Sequence, residues 1–150
     1  MEKETQRRRQ NFKKNRDIDY GVMPLEGLWW SNNINDFATG NRDNWQWTLM
    51  IMQPEFVTKE IFEQSLAAVQ KKKAIPSIEK VRFEEYKEGK SVQIMHVGPF
   101  SEEGANVAKL HVYIKTQNGT PSGKHHEIYL SDFRRVAPEK MKTILRQPYK

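Results

Sequence analysis

The apolar positions of this chain follow two different periods. Over 45–53, Trp45, Trp47, Leu49 and Ile51 fall on every second residue, the repeat of a strand, and Pro54 ends the run. The stretch 20–30 (YGVMPLEGLWW) is apolar too, but Gly21, Pro24 and Gly27 interrupt it. That excludes a helix and predicts an extended, irregular or edge strand. Between the two, 31–44 is rich in Asn, Asp and Gly and reads as a loop. After Pro54 the period changes. Ile61, Phe62, Ser65, Leu66 and Val69 make a stripe at three-and-four spacing, Thr58 is placed to cap it, and Lys71, Lys72 and Lys73 suit its C-terminal end.

Two strands are predicted next, over 79–86 and 91–97. Lys87-Glu88-Gly89-Lys90 between them has the look of a hairpin turn, and Gly98-Pro99 stops the second. A second helix is expected over 101–117, capped by Ser101, with Glu102 and Glu103 in its first turn. Val107, Leu110, His111 and Ile114 form its apolar face, and Gly119 ends it. Residues 125–132 alternate as a strand, and Pro138 suits the first position of a last short helix, 138–146. Strands and helices in this order predict an α+β domain: a mostly antiparallel sheet with helices packed on one face.

Alternation then sorts the side chains of HHEIYLSD. His125, Glu127, Tyr129 and Ser131 share one side of the strand; His126, Ile128, Leu130 and Asp132 share the other. Ile128 and Leu130 read as the core side, against the helices. Glu127 and Tyr129 then lie together on the opposite side, where a mid-strand carboxylate is an expensive choice unless it is used. Trp45 and Trp47 form an aromatic wall, and one of the adjacent Trp29 and Trp30 can line a pocket. Such a wall binds planar or cationic molecules, and it desolvates a neighbouring carboxylate. Two plainer readings stand beside this one: Trp45 and Trp47 as core, and Glu127 as an ion-pair partner of Arg82, Arg134 or Arg135. His125 and His126 are adjacent with no third ligand in spacing, and His96 reads as a satisfied strand histidine, so no metal site is expected.

Composition narrows the class. The 150 residues contain no cysteine, which removes disulfides and thiolate catalysis and makes a reducing cytoplasm the expected location. No apolar run is long enough to span a membrane. The net charge of +6 sits at the two ends. Residues 1–16 carry seven basic side chains against Glu2 and Glu4, and 134–150 carry six against Glu139, while 17–133 has twelve basic and sixteen acidic residues. Residues 1–16 therefore read as a basic flexible arm and 17–150 as the domain. A tail of this kind gives salt-dependent attraction to phosphate at most, so nucleic acid is not an expected partner. No glycine-rich phosphate loop is present, and no organic cofactor is expected.

Several phrases together carry a resemblance: YGVMPLEGLWW (20–30), WQWTLMIMQPEFVT (45–58), VQIMHVGPF (92–100), HHEIYLSDFRR (125–135) and PEKMKTILRQP (138–148). They resemble the GyrI-like small-molecule-binding domain family, which includes gyrase-inhibitor-like proteins and the effector-binding domains of drug-sensing regulators. The resemblance implies two βαββ-type halves around a cleft that takes bulky, planar, often cationic or electrophilic molecules. The stand-alone branch is similar to cyclopropanoid cyclopropyl hydrolases, which open a strained ring with water. The glutamate of the family's E-x-Y-L strand falls on Glu127 here. Glu127 and Tyr129 are thereby implied as catalytic residues, and Trp30, Trp45, Trp47 and His125 as ligand-binding ones. The family's opening strand and helix have no counterpart ahead of residue 17, so the tandem fold reads as incomplete. An open sheet edge of that kind predicts a homodimer. A non-catalytic drug-binding or gyrase-inhibitor-like interaction module is the alternative function.

Overall fold

A computed structural model describes residues 19–32, 42–72 and 74–150 of the chain. Residues 1–16, read as a basic arm, lie outside the described residues. The elements are β1 (Leu25–Trp30), β2 (Gln46–Ile51), α1 (Lys59–Gln70), β3 (Ser91–Val97), α2 (Gly104–Thr116), β4 (His125–Tyr129) and β5 (Lys142–Pro148). The five strands form one open sheet in the order β2-β1-β4-β5-β3. Every neighbouring pair is antiparallel. The class is therefore α+β, as the periodicities indicate.

Local chemistry accounts for both helices. Thr58 is extended and its Oγ1 accepts the Ile61 N–H at 3.4 Å, so α1 starts where the cap residue predicts. One turn of 3-10 helix, Phe100–Glu102, precedes α2, so Ser101 lies in that turn and Glu103 takes the cap position instead. Asn118, at φ 52, makes the left-handed step that ends α2, and the Gly119 N–H closes the last turn on the Ile114 carbonyl at 2.9 Å.

Two predicted elements are absent. The strand expected over 79–86 is not formed: Pro76–Lys80 make a 3-10 turn and 81–89 join no ladder, although Gly89 does turn at φ 80. A strand needs a neighbour's N–H and C=O groups, and among the described residues none pairs with this segment in a ladder. The helix expected over 138–146 is replaced by one 3-10 turn, Pro138–Lys140, and then by β5. Both edges of β5 are occupied, by β4 on one side and β3 on the other, and Leu145 at its centre is 0% exposed. Filling two edges and the core outweighs a local helical tendency over nine residues.

The helix side is also reversed. Asn106 of α2 donates to His96 Nδ1 at 3.1 Å. His96 pairs with Thr143, and Thr143 with Tyr129. Thus α2 covers the face that carries Glu127 and Tyr129, with its own Leu110 and Ile114 and Leu145 of β5 buried. Leu130, expected in the core, lies beyond the end of β4 and is exposed. α2 packs chiefly on β3 and β5. Among the described residues no helix covers the β1–β2 half of the same face: Trp47 is 58% exposed, Leu49 49% and Ile51 44%.

Candidate functional site

Glu127 is at the centre of β4, directly opposite Gly27 of β1 and Leu145 of β5. Its side chain is only 12% exposed. Oε2 accepts a hydrogen bond from the Tyr129 hydroxyl at 2.8 Å, and that hydroxyl in turn accepts from Trp29 Nε1 at 2.9 Å. Oε1 lies 3.4 Å from His125 Nε2. The chain Trp29–Tyr129–Glu127–His125 fixes the orientation of the carboxylate. Burial, followed by the adjacent Glu127 charge, holds the Tyr129 hydroxyl well above its ordinary value of 10, so it stays a donor.

Gly27 makes this geometry possible. A Cβ there would stand 2.8 Å from both Trp29 Nε1 and the Tyr129 hydroxyl. The missing side chain is the space in which those two polar atoms meet. Rings close the surroundings: Phe100 meets Tyr129 edge-on at 5.9 Å and Trp45 meets Trp29 at 6.1 Å. Toward β2, Trp47, Leu49 and Ile51 continue the same face, because they pair with Trp29, Gly27 and Leu25. The result is a carboxylate at the foot of α2, beside an open apolar and aromatic floor. His111 of α2 is held below its ordinary value of 6.5 by burial and then by His125.

The structure brings Glu127, Tyr129, His125, Trp45 and Trp47 to one side of the sheet. It does not bring Trp30 there. Trp30 points to the reverse face, with Lys124 Nζ 3.4 Å over its ring and its Nε1 donating to Gln46 at 3.1 Å. Trp29 takes the inward place, and with Gly27 and Phe100 it is the part of the site that sequence reasoning missed. The β1–β4 register, Trp29 against His125, is the signal that decides between adjacent tryptophans. The ion-pair reading of Glu127 fails: Arg82 pairs with Glu84, and Arg134 and Arg135 pair with Asp132. His96 is satisfied structurally, donating through Nε2 to the Pro99 carbonyl at 3.0 Å and accepting from Asn106. Among the described residues no group of three or more His, Asp or Glu side chains is placed to hold a metal.

Behind the site lies a second polar cluster. His126, 2% exposed, has Nδ1 2.8 Å from Glu88 and Nε2 2.8 Å from Glu26. Arg146 donates to the other Glu88 oxygen at 3.0 Å. Burial raises the Glu88 carboxyl, but the hydrogen bonds from His126 and Arg146 outweigh it and leave the group below its ordinary value of 4.5. This network anchors the 81–90 segment to the reverse face in place of a strand ladder.

An open antiparallel sheet with a half-covered aromatic face and a central carboxylate defines a small-molecule-binding domain. The chain belongs to the GyrI-like family: the model for the GyrI-like small molecule binding domain matches residues 2–150. Among solved structures it is similar to an uncharacterized conserved protein from Listeria innocua, at 46% identity and a TM-score of 0.81, covering 91% of this chain and 68% of that one. It is also similar to a hydrolase from Listeria innocua, at 45% identity and a TM-score of 0.73, covering 89% of this chain and 65% of that one. A further Listeria innocua hydrolase structure matches at 44% identity and a TM-score of 0.73. The chain thus spans about two thirds of the length of these relatives. No protein with a curated description matches it. Among the described residues no helix is long and apolar enough to cross a membrane.

Proposed function

We propose that the chain binds planar electrophilic molecules on the open half of the Glu127 face, and that Glu127 activates water to open a cyclopropanoid ring. One observation carries this reading. A nearly buried carboxylate is held by Tyr129 and faces His125, at the border between the helix-covered core and the exposed floor of Trp47, Leu49 and Ile51. The floor supplies stacking area and the carboxylate supplies a base at its edge. Two of the similar Listeria structures are of hydrolases, which supports hydrolysis over simple capture.

In the proposed step, Glu127 takes a proton from water as the water oxygen bonds to a cyclopropane carbon. The ring C–C bond breaks, and its electron pair passes into the conjugated carbonyl, which is protonated as a phenol. Ring strain lowers the barrier, so one oriented base suffices. His125 and Tyr129 position the carboxylate, and Trp45 and Trp47 hold the substrate. The role is detoxification, and a chain without cysteine suits the cytoplasm. A second copy covering the β2 side would close the floor, and we propose a homodimer on that ground.

The test incubates a duocarmycin-type cyclopropanoid with the protein and with Glu127→Gln, following absorbance and mass. Addition of one water by the wild type and loss of that turnover in Glu127→Gln are expected. Equal turnover by both would remove Glu127 as the base. Tight binding of unchanged ligand by the wild type would assign the face to sequestration or sensing instead.

A further inference from the structure

On the reverse face, away from Glu127, lies a concavity of about 320 Å³. That volume is at the lower end of the range of small-ligand sites, roughly 300–1,000 Å³. Its apolar base is Leu28, buried and paired with His126 across the β1–β4 ladder. Tyr86 supplies an aromatic wall and stands edge-on to His126 at 6.3 Å. Around the mouth are Lys87, Lys124 and Lys150. Among the described residues none of these lysines has a carboxylate within ion-pair distance. The Lys124 ammonium is not free to wander, because it is seated over the Trp30 ring at 3.4 Å.

One acidic side chain, Glu88, also lines the concavity, but both its oxygens are occupied, one by His126 and one by Arg146. Glu26 lies behind His126. The side chains of Lys87 and Lys124 at the rim therefore face one side-chain carboxylate, Glu88, that is already matched. The main chain around the mouth is pinned as well, with Thr120 and Lys150 exchanging two backbone hydrogen bonds at 2.7 and 3.0 Å. Unpaired lysines around an apolar floor favour a ligand with a small aromatic or apolar body and an anionic head.

We propose that this concavity is a second ligand site for a small aromatic anion of the aryl phosphate type, with Lys87 and Lys124 holding the anionic head and Tyr86 and Leu28 the ring. It shares no lining residue with the Glu127 face. The site stands whether or not Glu127 is a base.

The probe is phenyl phosphate, titrated into the amide-labelled protein with phenol and inorganic phosphate alongside. Shifts at 86–88 and 122–124 are expected, with phenol and phosphate each binding more weakly than the combined molecule. Lys87→Gln with Lys124→Gln should weaken binding by about tenfold or more, since two ammonium contacts to phosphate are lost. Lys87→Arg with Lys124→Arg should retain most of it. Both lysines sit at the rim, and unchanged dispersion of the remaining amides checks folding. Glu127→Gln should leave the affinity unchanged. No shifts, shifts confined to 27–29 and 127–129, or equal affinity in the double glutamine variant would each overturn the proposal.

Discussion

Gly27→Ala tests the site through a single methyl group. The added Cβ would stand 2.8 Å from Trp29 Nε1 and 2.8 Å from the Tyr129 hydroxyl, where an uncrowded carbon needs at least 3.4 Å. Both atoms end rigid rings, so neither can give way by rotating a flexible tail. They must separate by roughly half an ångström or more, and the backbone must follow. Overpacking of this kind costs about 1–3 kcal/mol. Loss of the Trp29–Tyr129 hydrogen bond adds about 1 kcal/mol. Opposing these is the ordinary gain from replacing glycine within a strand, about 0.5–1 kcal/mol. The net expectation is a destabilisation of about 1–3 kcal/mol, because the steric and hydrogen-bond terms exceed the backbone gain. Denaturant unfolding reads this as a lower midpoint at unchanged slope. Gly104→Ala is the control: it begins α2, nothing lies within 4 Å of its would-be Cβ, and it should be neutral or stabilising. The Trp29 indole N–H resonance should move in Gly27→Ala and stay in the control. Wild-type stability in Gly27→Ala together with an unmoved indole signal would refute the reasoning, since Trp29, Tyr129 and Glu127 would then not converge over Gly27.

Three further expectations follow from the same geometry. Tyr129→Phe removes the donor to Glu127 and leaves Trp29 Nε1 without its acceptor, so a loss of about 1–3 kcal/mol in denaturant unfolding is expected. Acid should weaken the fold in two stages. His111 and Glu88 both titrate below their ordinary values of 6.5 and 4.5, so their stabilisation is intact above those values and is lost as pH falls through the lower folded ones. Thermal unfolding followed from pH 8 to pH 3 checks this, and Glu88→Gln should remove the lower stage. Sedimentation should find a dimer that Trp47→Lys dissociates without unfolding, because Trp47 is exposed on the uncovered β2 side; a wild-type monomer would remove the dimer proposal.

What could be read from the chain alone was local. Thr58 as a cap, the stripe of Ile61 and Phe62, and the face of Leu110 and Ile114 depend on residues three or four apart, and those elements stand where expected. The same holds for Glu127 with Tyr129, because two residues apart on a strand share a side whatever the strand packs against. Membership of the GyrI-like family, and with it an antiparallel α+β fold, was legible from motifs strung along the chain. The tertiary structure decided everything that depends on a distant partner. Trp29 rather than Trp30 faces Glu127 because β1 pairs with β4 in that register. Residues 142–148 are a strand because β3 and β4 flank them on both sides, whereas 81–86 join no ladder and the segment is held instead by the contacts of Tyr86 and Glu88 with His126 and Arg146. The helix covers the Glu127 side because α2 docks on β3 and β5, a choice that alternation within one strand cannot make. Local periodicity sets which side chains travel together; hydrogen-bond partners supplied from far along the chain set where they arrive.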